Sequence, residues 1–353
     1  MSAGGTGFWR AGGWVLALGI VATAAAVALH LAPVLGHRGR ATGDGRNVDS
    51  YGFALRPASV GAERIVASGL PKDGLPALTE PLTWTVARAD AETRGRRKFL
   101  VPSDLVIGVD SNGEARAYPL RLLVWHEVVN DTIAGVPVVV IYSPLSDTAA
   151  VFERRIGNNT LTFGFSGLLL NSSTLIFDRQ PDPPSESLWS PLAMRAVAGP
   201  AAGTALVLLP CTVTSWGAWR AAHPGGRVLA PDPRLRANYK RSPYSSYFGS
   251  DRLRFPVEPL PPPGPLARKA RVVAFPIAPG RYAAVPWETV LARTGGDGEW
   301  DVEIEGTHVR LGVGGVPPGV SLASPAGDPL AAVFTAHFAW YAFHHADTLW
   351  LDD

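Results

Sequence analysis

Short runs of alternating apolar and polar residues recur through the body of the chain. Examples are Thr148–Arg155, Thr160–Gly167 and Ser173–Gln180, each with the period of two that is typical of a β-strand with one buried face. Turn-forming sequences such as Gly157-Asn158-Asn159 separate these runs. The pattern predicts a mainly β (α+β) protein with short helices.

The same order of predicted elements occurs twice. Asp104–Val140 indicates a strand, a tight turn, a second strand, a short helix that begins at a proline, and a hairpin that turns at Ala134-Gly135. Arg271–Val313 indicates the same order, and its hairpin turns at Glu305-Gly306. We therefore predict two related β-rich halves that adopt the same fold and pack together.

A long apolar run lies near the amino terminus. In Gly12–Gly36 the only ionisable side chain is His30, and about 22 residues at 1.5 Å each span about 33 Å, enough to cross a hydrocarbon core of ~30 Å. The alternative is a cleaved signal peptide, because Arg10 supplies a basic start and the Ala-rich sequence resembles cleavage sites. The length of the run favours an anchor, so we expect one transmembrane helix at Trp14–Leu35, in contact with the lipid membrane.

The charged residues beside this run do not favour the location that we expect for the rest of the chain, which we call the body. Arg38, Arg40 and Arg46 follow the run and only Arg10 precedes it, so the positive-inside rule favours a cytoplasmic body. The amino tail, however, is too short to be a domain, and one cysteine suits an oxidising compartment. Together with the family resemblance below, this favours a single-pass protein of the cytoplasmic membrane with an extracytoplasmic body, which would be secreted if the segment is cleaved.

Composition suggests how the rest of the chain is divided. Residues 37–60 are polar, Gly-rich and aperiodic, which is typical of a flexible linker, and residues 256–270 form a Pro-rich linker. We expect residues 1–36 to form the anchor or signal segment. Residues 61–255 would then form a first β-rich lobe with the candidate site, and residues 271–353 a second lobe with a carboxyl-terminal aromatic segment.

Composition also narrows the classes of function. The 353 residues include 38 Gly and 32 Pro, which opposes long helix bundles. Lys and Arg (32) nearly balance Asp and Glu (30), so the chain lacks the charge excess of a nucleic-acid-binding protein. Cys211 is the single cysteine, which excludes an intrachain disulfide framework and a cysteine-rich metal site. The sequence identifies no cofactor, small ligand or protein partner.

A series of ordered motifs resembles a known family. The motifs are Trp125-His126-Glu127, Asn130-Asp131-Thr132, Tyr142-Ser143-Pro144-Leu145, Thr162-Phe163-Gly164, Ser166-Gly167, Asn171-Ser172, Phe177-Asp178-Arg179, Ser187-Leu188-Trp189-Ser190 and Phe338-Ala339-Trp340-Tyr341-Ala342-Phe343-His344. Over roughly Leu100 to Trp350 the chain resembles the bacterial and archaeal domain-of-unknown-function family 3179 (DUF3179). The resemblance implies a secreted or membrane-attached prokaryotic protein with no established activity.

The chain departs from the family at one motif. The family pattern resembles Tyr-Cys-Pro-Leu-Cys, where this chain has Tyr142-Ser143-Pro144-Leu145-Ser146. Two cysteines at this spacing can bind metal or cycle between dithiol and disulfide, whereas two serine hydroxyls do neither well. The resemblance therefore implies a degenerate member of the family.

His126 and Glu127 are the leading candidates for chemistry. An adjacent imidazole and carboxylate can act as a metal ligand with a base, or as an acid–base pair. Ser143, Ser146 and Asp147 lie one predicted hairpin away and can approach them. The alternative is a buried structural histidine whose ring nitrogen bonds to the backbone.

Other candidates are more widely spaced. Asp178 and Arg179 could form a polar rim for an anionic or sugar ligand on which Trp189 stacks, or they could form a local ion pair that pins a loop. His344 could join His126 and Asp147 as a metal ligand, or it could belong to a core-facing stripe. A serine-hydrolase triad of Ser166, His126 and Asp178 is disfavoured, because Leu168 stands where the nucleophile-elbow motif requires glycine.

The sequence as a whole favours a non-catalytic or degenerate binding module, with a pocket between Trp125–Ser146 and the carboxyl-terminal aromatic segment. The alternative is a metal-dependent or acid–base enzyme centred on His126, Glu127 and Asp147. The surroundings of His126 distinguish the two interpretations. Further nitrogen or oxygen ligands beside the ring would favour the enzyme, and backbone carbonyls without a pocket would favour the binding module.

Overall fold

The computed structural model describes residues 43–94 and 100–351. The predicted membrane segment Trp14–Leu35 lies outside these residues. Within them, none of the helices has the length and apolar character needed to cross a membrane. Strands predominate and the helices between them are short, so the predicted mainly β class is confirmed.

The described residues form 24 strands and six α-helices. The strands are β1 (Ile65–Ala67), β2 (Leu78–Thr79), β3 (Thr83–Thr85), β4 (Leu105–Ser111), β5 (Glu114–Pro119), β6 (Val128–Ile133), β7 (Val136–Ser143), β8 (Thr148–Glu153), β9 (Arg155–Ile156), β10 (Asn159–Thr160), β11 (Phe163–Leu170), β12 (Ser173–Asp178), β13 (Leu188–Ser190), β14 (Arg195–Ala198), β15 (Val207–Leu209), β16 (Thr212–Ser215), β17 (Arg227–Leu229), β18 (Arg271–Ala278), β19 (Arg281–Pro286), β20 (Glu299–Ile304), β21 (Thr307–Gly314), β22 (Gly319–Ala323), β23 (Val333–Ala336) and β24 (Thr348–Trp350). The helices are α1 (Val86–Arg94), α2 (Leu120–Leu123), α3 (Trp216–Ala222), α4 (Ser245–Phe248), α5 (Trp287–Arg293) and α6 (His337–His344).

Two of the hairpins turn at a dipeptide whose second residue is glycine. At Ala134-Gly135 the φ angles are 48° and 79°, and at Glu305-Gly306 they are 49° and 81°. Two consecutive positive φ angles define the type I′ turn, whose twist matches that of the flanking strands. These turns fix the registers of β6–β7 and β20–β21.

The strands form two large sheets and a smaller one. Sheet I has the order β20-β21-β22-β16-β4-β5-β17-β3, sheet II has the order β2-β6-β7-β8-β23-β18-β19-β24 with β15 also paired to β8, and sheet III has the order β1-β11-β12-β13-β14. Strands β9 and β10 form a separate two-stranded ribbon. Both large sheets combine strands from before and after the Pro-rich segment, so residues 61–255 and 271–353 do not form separate sheets.

The two four-stranded units have the same topology. Val106 pairs with Pro119 in the β4–β5 hairpin, and Val272 pairs with Pro286 in the β18–β19 hairpin. An antiparallel strand, β16 or β23, flanks the first strand of each hairpin. A parallel strand, β17 or β24, flanks the second. In each unit a helix, α3 or α6, connects these two flanking strands.

The three-stranded meanders also correspond. Ser143 pairs with Thr148 between β7 and β8, and Gly314 pairs with Gly319 between β21 and β22. The last strand of each meander pairs with the flanking strand of the other unit, β8 with β23 and β22 with β16. Each chain segment thus adds a meander to the sheet that contains the hairpin of the other segment. Positions matched by these registers are called equivalent below.

Sheet III covers one face of sheet II. Val138 and Val140 of β7 belong to a core cluster that joins sheets I and II, whereas Val139 and Ile141 pack in a second cluster with sheet III and α6. Alternate side chains of a strand point to opposite faces, so β7 is buried on both. The end of β7 at Ser143 therefore lies between layers.

Part of the expected linker is packed. Tyr51 and Phe53 are buried, and the Phe53 ring lies 5.5 Å from that of Phe177. These two aromatic side chains belong to the core cluster of sheet III. The polar, Gly-rich composition of residues 37–60 gave no indication that they are buried. Residues 37–42 lie outside the described residues.

Candidate functional site

His126 is fully buried and both of its ring nitrogens have partners. Nδ1 lies 2.7 Å from the carbonyl oxygen of Pro76, and Nε2 lies 2.7 Å from the hydroxyl of Tyr239. Because a carbonyl only accepts, Nδ1 carries the proton and Nε2 accepts from Tyr239. The Tyr239 oxygen in turn accepts from the backbone N–H of Asp232, at 3.3 Å. Burial lowers the pKa of His126, which agrees with a neutral ring.

Glu127 is a buried carboxyl group with one hydrogen bond from a neighbouring strand. The hydroxyl of Thr174 on β12 donates to its Oε2 at 2.5 Å. Burial raises the pKa of Glu127 to about 8, and the hydrogen bond from Thr174 offsets only part of this effect. The side chain is therefore a neutral carboxylic acid at pH 7.

Ser143 and Ser146 belong to a buried network of hydroxyl groups beside Glu127. We name this network the hydroxyl cluster; its members are Ser143, Ser146, Thr148, Ser173, Thr174 and Thr335. The Ser143 hydroxyl donates to Thr174 at 3.1 Å, and the Ser146 hydroxyl donates to Ser173 at 3.2 Å. Thr148 donates to Ser146 and also contacts Thr335, both at 2.8 Å. The cluster joins sheet II to sheet III, and Ser143 and Ser146 have no exposed surface.

Asp147 forms a different contact at the end of the same hairpin. It accepts from the Tyr142 hydroxyl at 2.8 Å and from Nε of Arg271 at 2.5 Å. The pair with Arg271 links the β7–β8 turn to the first residue of β18. Asp147 therefore does not share a partner with His126.

Asp178, Arg179 and Trp189 do not form the expected rim. The Asp178 carboxylate accepts from Nε1 of Trp189 at 2.9 Å and from the backbone N–H of Ser187 at 2.7 Å. Trp189 is fully buried, so it presents no face on which a ligand could stack. Arg179 instead forms two bonds to Asp73, at 2.6 and 2.9 Å.

His344 lies at the end of α6, away from His126. Its Nε2 lies 2.7 Å from the Leu192 carbonyl oxygen, and its Nδ1 lies 3.2 Å from the Asp347 carboxylate. The ring stacks on Trp340 with 4.1 Å between centroids. His126, Asp147 and His344 thus have separate partners. In residues 43–94 and 100–351, no three His, Cys, Asp or Glu side chains are grouped as a metal site.

The remaining candidates lie in the core. Trp125 packs against the cluster between sheets I and II, and its Nε1 has no hydrogen-bond partner among the described residues. The Ser166 hydroxyl donates to the Leu175 carbonyl rather than to His126, so the hydrolase triad is not assembled. Burial raises the pKa of Cys211 to about 12, which leaves it an unreactive thiol.

Glu127 occupies a backbone position that normally favours glycine. Its φ angle is 57°, and its equivalent in the other half is Gly298, with a φ angle of 78°. The carbonyl oxygen of Glu127 accepts from the N–H of Tyr142 at 2.9 Å, as that of Gly298 accepts from Val313 at 2.7 Å. A side chain in this conformation costs about 1 kcal/mol, so its contacts must offset that cost. The contact that the structure provides is the bond from Thr174.

The equivalent region of the second half is an open groove of about 350 Å³. Gly298, Gly314 and Gly319 line it, together with Trp219 and His223 of the α3 region. The three glycines are equivalent to Glu127, Ser143 and Thr148. In the first half, Thr174 of sheet III contacts Glu127 and Ser143, and Ser173 contacts the nearby Ser146. The described residues 324–332 between β22 and β23 add no strand over the groove. Side chains therefore fill this region in the first half, whereas the equivalent region of the second half is an open groove.

A sequence repeat that we did not predict accompanies this correspondence. Thr214, Ala218, Trp219, Ala221 and His223 recur at the same spacing as Thr335, Ala339, Trp340, Ala342 and His344. In both copies the histidine ring packs against the tryptophan ring, with 3.9 Å between the centroids of Trp219 and His223 and 4.1 Å between those of Trp340 and His344. Aligning the two segments that precede β17 and β24 would have revealed it from the sequence.

Comparison with known families agrees with the motifs. The model of a family described as "Protein of unknown function (DUF3179)" matches residues 72–312, which is more than half of the chain. The chain belongs to the DUF3179 family. The resemblance proposed from the motifs is thus confirmed at the level of the family. No curated protein and no solved structure matches the chain.

The DUF3179 match covers every candidate residue except His344. It includes His126 and Glu127, the β7–β8 hairpin with Ser143 and Ser146, and the whole of sheet III apart from β1. It ends within β21, before β22, β23 and α6. The part of the DUF3179 fold that forms the hydroxyl cluster is therefore matched except for Thr335.

Sequence reasoning missed the partners that define the surroundings of His126 and Glu127. Tyr239 lies in a segment of short turns with no regular period, and Thr174 lies on a strand of sheet III. Both contact the candidate residues only because the chain returns to them after more than 40 residues. The sequence did predict that Thr174 lies on a strand, because STLIFDRQ alternates apolar and polar residues. It did not show that this strand lies beside Glu127.

Proposed function

We propose that this DUF3179 protein is a non-catalytic binding module whose body lies outside the cytoplasmic membrane, anchored by Trp14–Leu35. One observation carries the non-catalytic part: His126, Glu127 and Asp147 are each bonded to other parts of the chain. A general acid or base must reach a proton on its substrate, directly or through one water. His126 and Glu127 are at most 2% exposed, so neither can reach a bound substrate.

The pattern of replacements supports a degenerate site. Ser143 and Ser146 stand where the family pattern resembles two cysteines, and their hydroxyls bond to Thr174 and Ser173. These bonds stabilise the junction of two sheets and supply no redox or thiolate chemistry. We propose that the motif has changed from a reactive to a structural role in this member.

We also propose that the two halves arose by internal duplication and then diverged. The support is the repeated topology, the matched registers and the recurrence of Trp219 and His223 as Trp340 and His344. After a duplication, each unit begins with the same site, and the two sites can then diverge. Here one unit holds a filled polar cluster and the other an open, glycine-lined groove.

Metal analysis of the purified full-length protein tests the non-catalytic proposal. We expect no stoichiometric metal in the native protein, and the same result for His126→Ala, because both ring nitrogens are occupied by Pro76 and Tyr239. His308→Ala is the matched control, since that ring is well exposed. A stoichiometric metal that is lost in His126→Ala and retained in His308→Ala would contradict the proposal.

The proposed location is tested by adding protease to intact spheroplasts. With an extracytoplasmic body, the folded domain is digested or released while a cytoplasmic marker protein is protected. The opposite topology, in which Arg38, Arg40 and Arg46 hold the body inside, gives protection until lysis. Protection of the body before lysis would therefore exclude the proposed location.

A further inference from the structure

A second concave region lies at the carboxyl end of α6, beside the β11–β12 turn. It is a cavity of about 170 Å³. Arg64, Asn171, Arg195 and His344 line it together with Ser59. These residues come from the turn before β1, the β11–β12 turn, β14 and α6, so four separate parts of the fold converge on this space.

The two arginines bring positive charge, and neither forms an ion pair with a carboxylate of the described residues. Arg64 donates to the side-chain oxygen of Asn171 at 3.3 Å and to the carbonyl oxygen of Glu258. Both acceptors are neutral, so they position the guanidinium without cancelling its charge. Arg195 is exposed, and its side chain forms no ion pair or hydrogen bond with the residues that the structure describes. Its five N–H donors are therefore available.

The rest of the lining is held in place. His344 is fixed by the Leu192 carbonyl and by stacking on Trp340. The carboxylate nearest to the ring is that of Asp347, which faces Nδ1 of His344 at 3.2 Å. Asn171 is tied to the backbone N–H of Glu258 at 3.1 Å. Such a lining keeps its shape when empty, which reduces the entropic cost of binding.

We propose that this cavity binds a small oxyanion, a free carboxylate or phosphate, between Arg64 and Arg195. Guanidinium groups match the planar or tetrahedral oxygens of such anions through pairs of N–H donors. The volume lies below the roughly 300–1,000 Å³ of sites for drug-sized ligands, which favours a small anion. The inference rests on the proposed binding function and names the ligand class of one site.

The test is calorimetric titration of the full-length protein in detergent at low ionic strength, with inorganic phosphate and with succinate as probes. At least one anion is expected to bind the native protein. Arg195→Ala is expected to weaken that binding by about tenfold or more, because it removes a charge-assisted hydrogen bond. Arg195→Lys, which keeps the charge but loses the paired donors, is expected to give an intermediate affinity.

Arg155→Gln is the matched control, since Arg155 is exposed and does not line the cavity. It should bind as the native protein does. The Arg195 side chain has no hydrogen bonds to lose, so Arg195→Ala should fold, and an unchanged unfolding midpoint verifies this. Absence of binding to both anions, equal binding by Arg195→Ala, or binding only to vesicles of anionic lipid would each overturn the inference. None of these results affects the metal analysis, so the two proposals fail independently.

Discussion

Replacing Glu127 with Gln is expected to increase the free energy of unfolding at pH 9 by roughly 5 kcal/mol, and to change it little near pH 4. The pKa of Glu127 is about 8 in the folded protein, against an ordinary value of 4.5. Below pH 4.5 both the folded and the unfolded state hold the proton, so the group has no effect. Between pH 4.5 and 8 the unfolded state releases its proton and the folded state does not.

The native protein therefore loses stability as the pH rises through this interval, and the loss ends above pH 8. Glutamine has the shape of the neutral acid and still accepts from Thr174, but it does not titrate. The measurement is urea denaturation of both proteins at intervals between pH 4 and 9. Glu63→Gln is the control, because Glu63 is exposed. Parallel stability–pH curves for native protein and Glu127→Gln would show that the carboxyl group ionises freely.

His126→Ala is expected to lower the free energy of unfolding by about 3 kcal/mol. The substitution removes two hydrogen bonds of 2.7 Å and leaves the Pro76 carbonyl and the Tyr239 hydroxyl without their partner. It also leaves a cavity at a fully buried position. Burial lowers the pKa of His126, so the neutral ring should stabilise the fold throughout the neutral range.

Local features of the fold could be predicted from the sequence. The turns at Ala134-Gly135 and Glu305-Gly306 form as expected, because in each the glycine adopts the second of two consecutive positive φ angles without a steric cost. Ser215 caps α3 by accepting from the N–H of Ala218, and serine is one of the residue types that favour this position. These features depend on a few neighbouring residues.

The exchange of meanders between sheets could not be predicted in the same way. The hairpin pattern predicts that β7 and β21 are strands, but it does not specify which strands lie beside them other than their hairpin partners. The pairing of β8 with β23 joins residues that lie far apart in the chain, and the Pro-rich segment between them suggested a lobe boundary. Only the repeat of Trp219 and His223 as Trp340 and His344 carries long-range information, because it matches the two flanking helices directly.

The sequence identified several residues of the candidate site, but it did not predict the contacts that surround them. His126, Glu127, Ser143 and Ser146 do lie near the same junction of sheets. Their environment is set by Thr174 of sheet III and by Tyr239, which fill the region where we expected a pocket. The open groove lies instead at the equivalent glycines of the second half, because no insertion like sheet III covers them.

The most direct test of this account is a double-mutant cycle between His126→Ala and Tyr239→Phe, measured as free energies of unfolding. If His126 acts by bonding to Tyr239, each single variant is destabilised, and the double variant loses less than the sum of the two because the shared bond is lost once. A residue kept for chemistry is often neutral or costly for stability. Unchanged or increased stability of His126→Ala, or strictly additive losses, would contradict the structural role that we assign to His126.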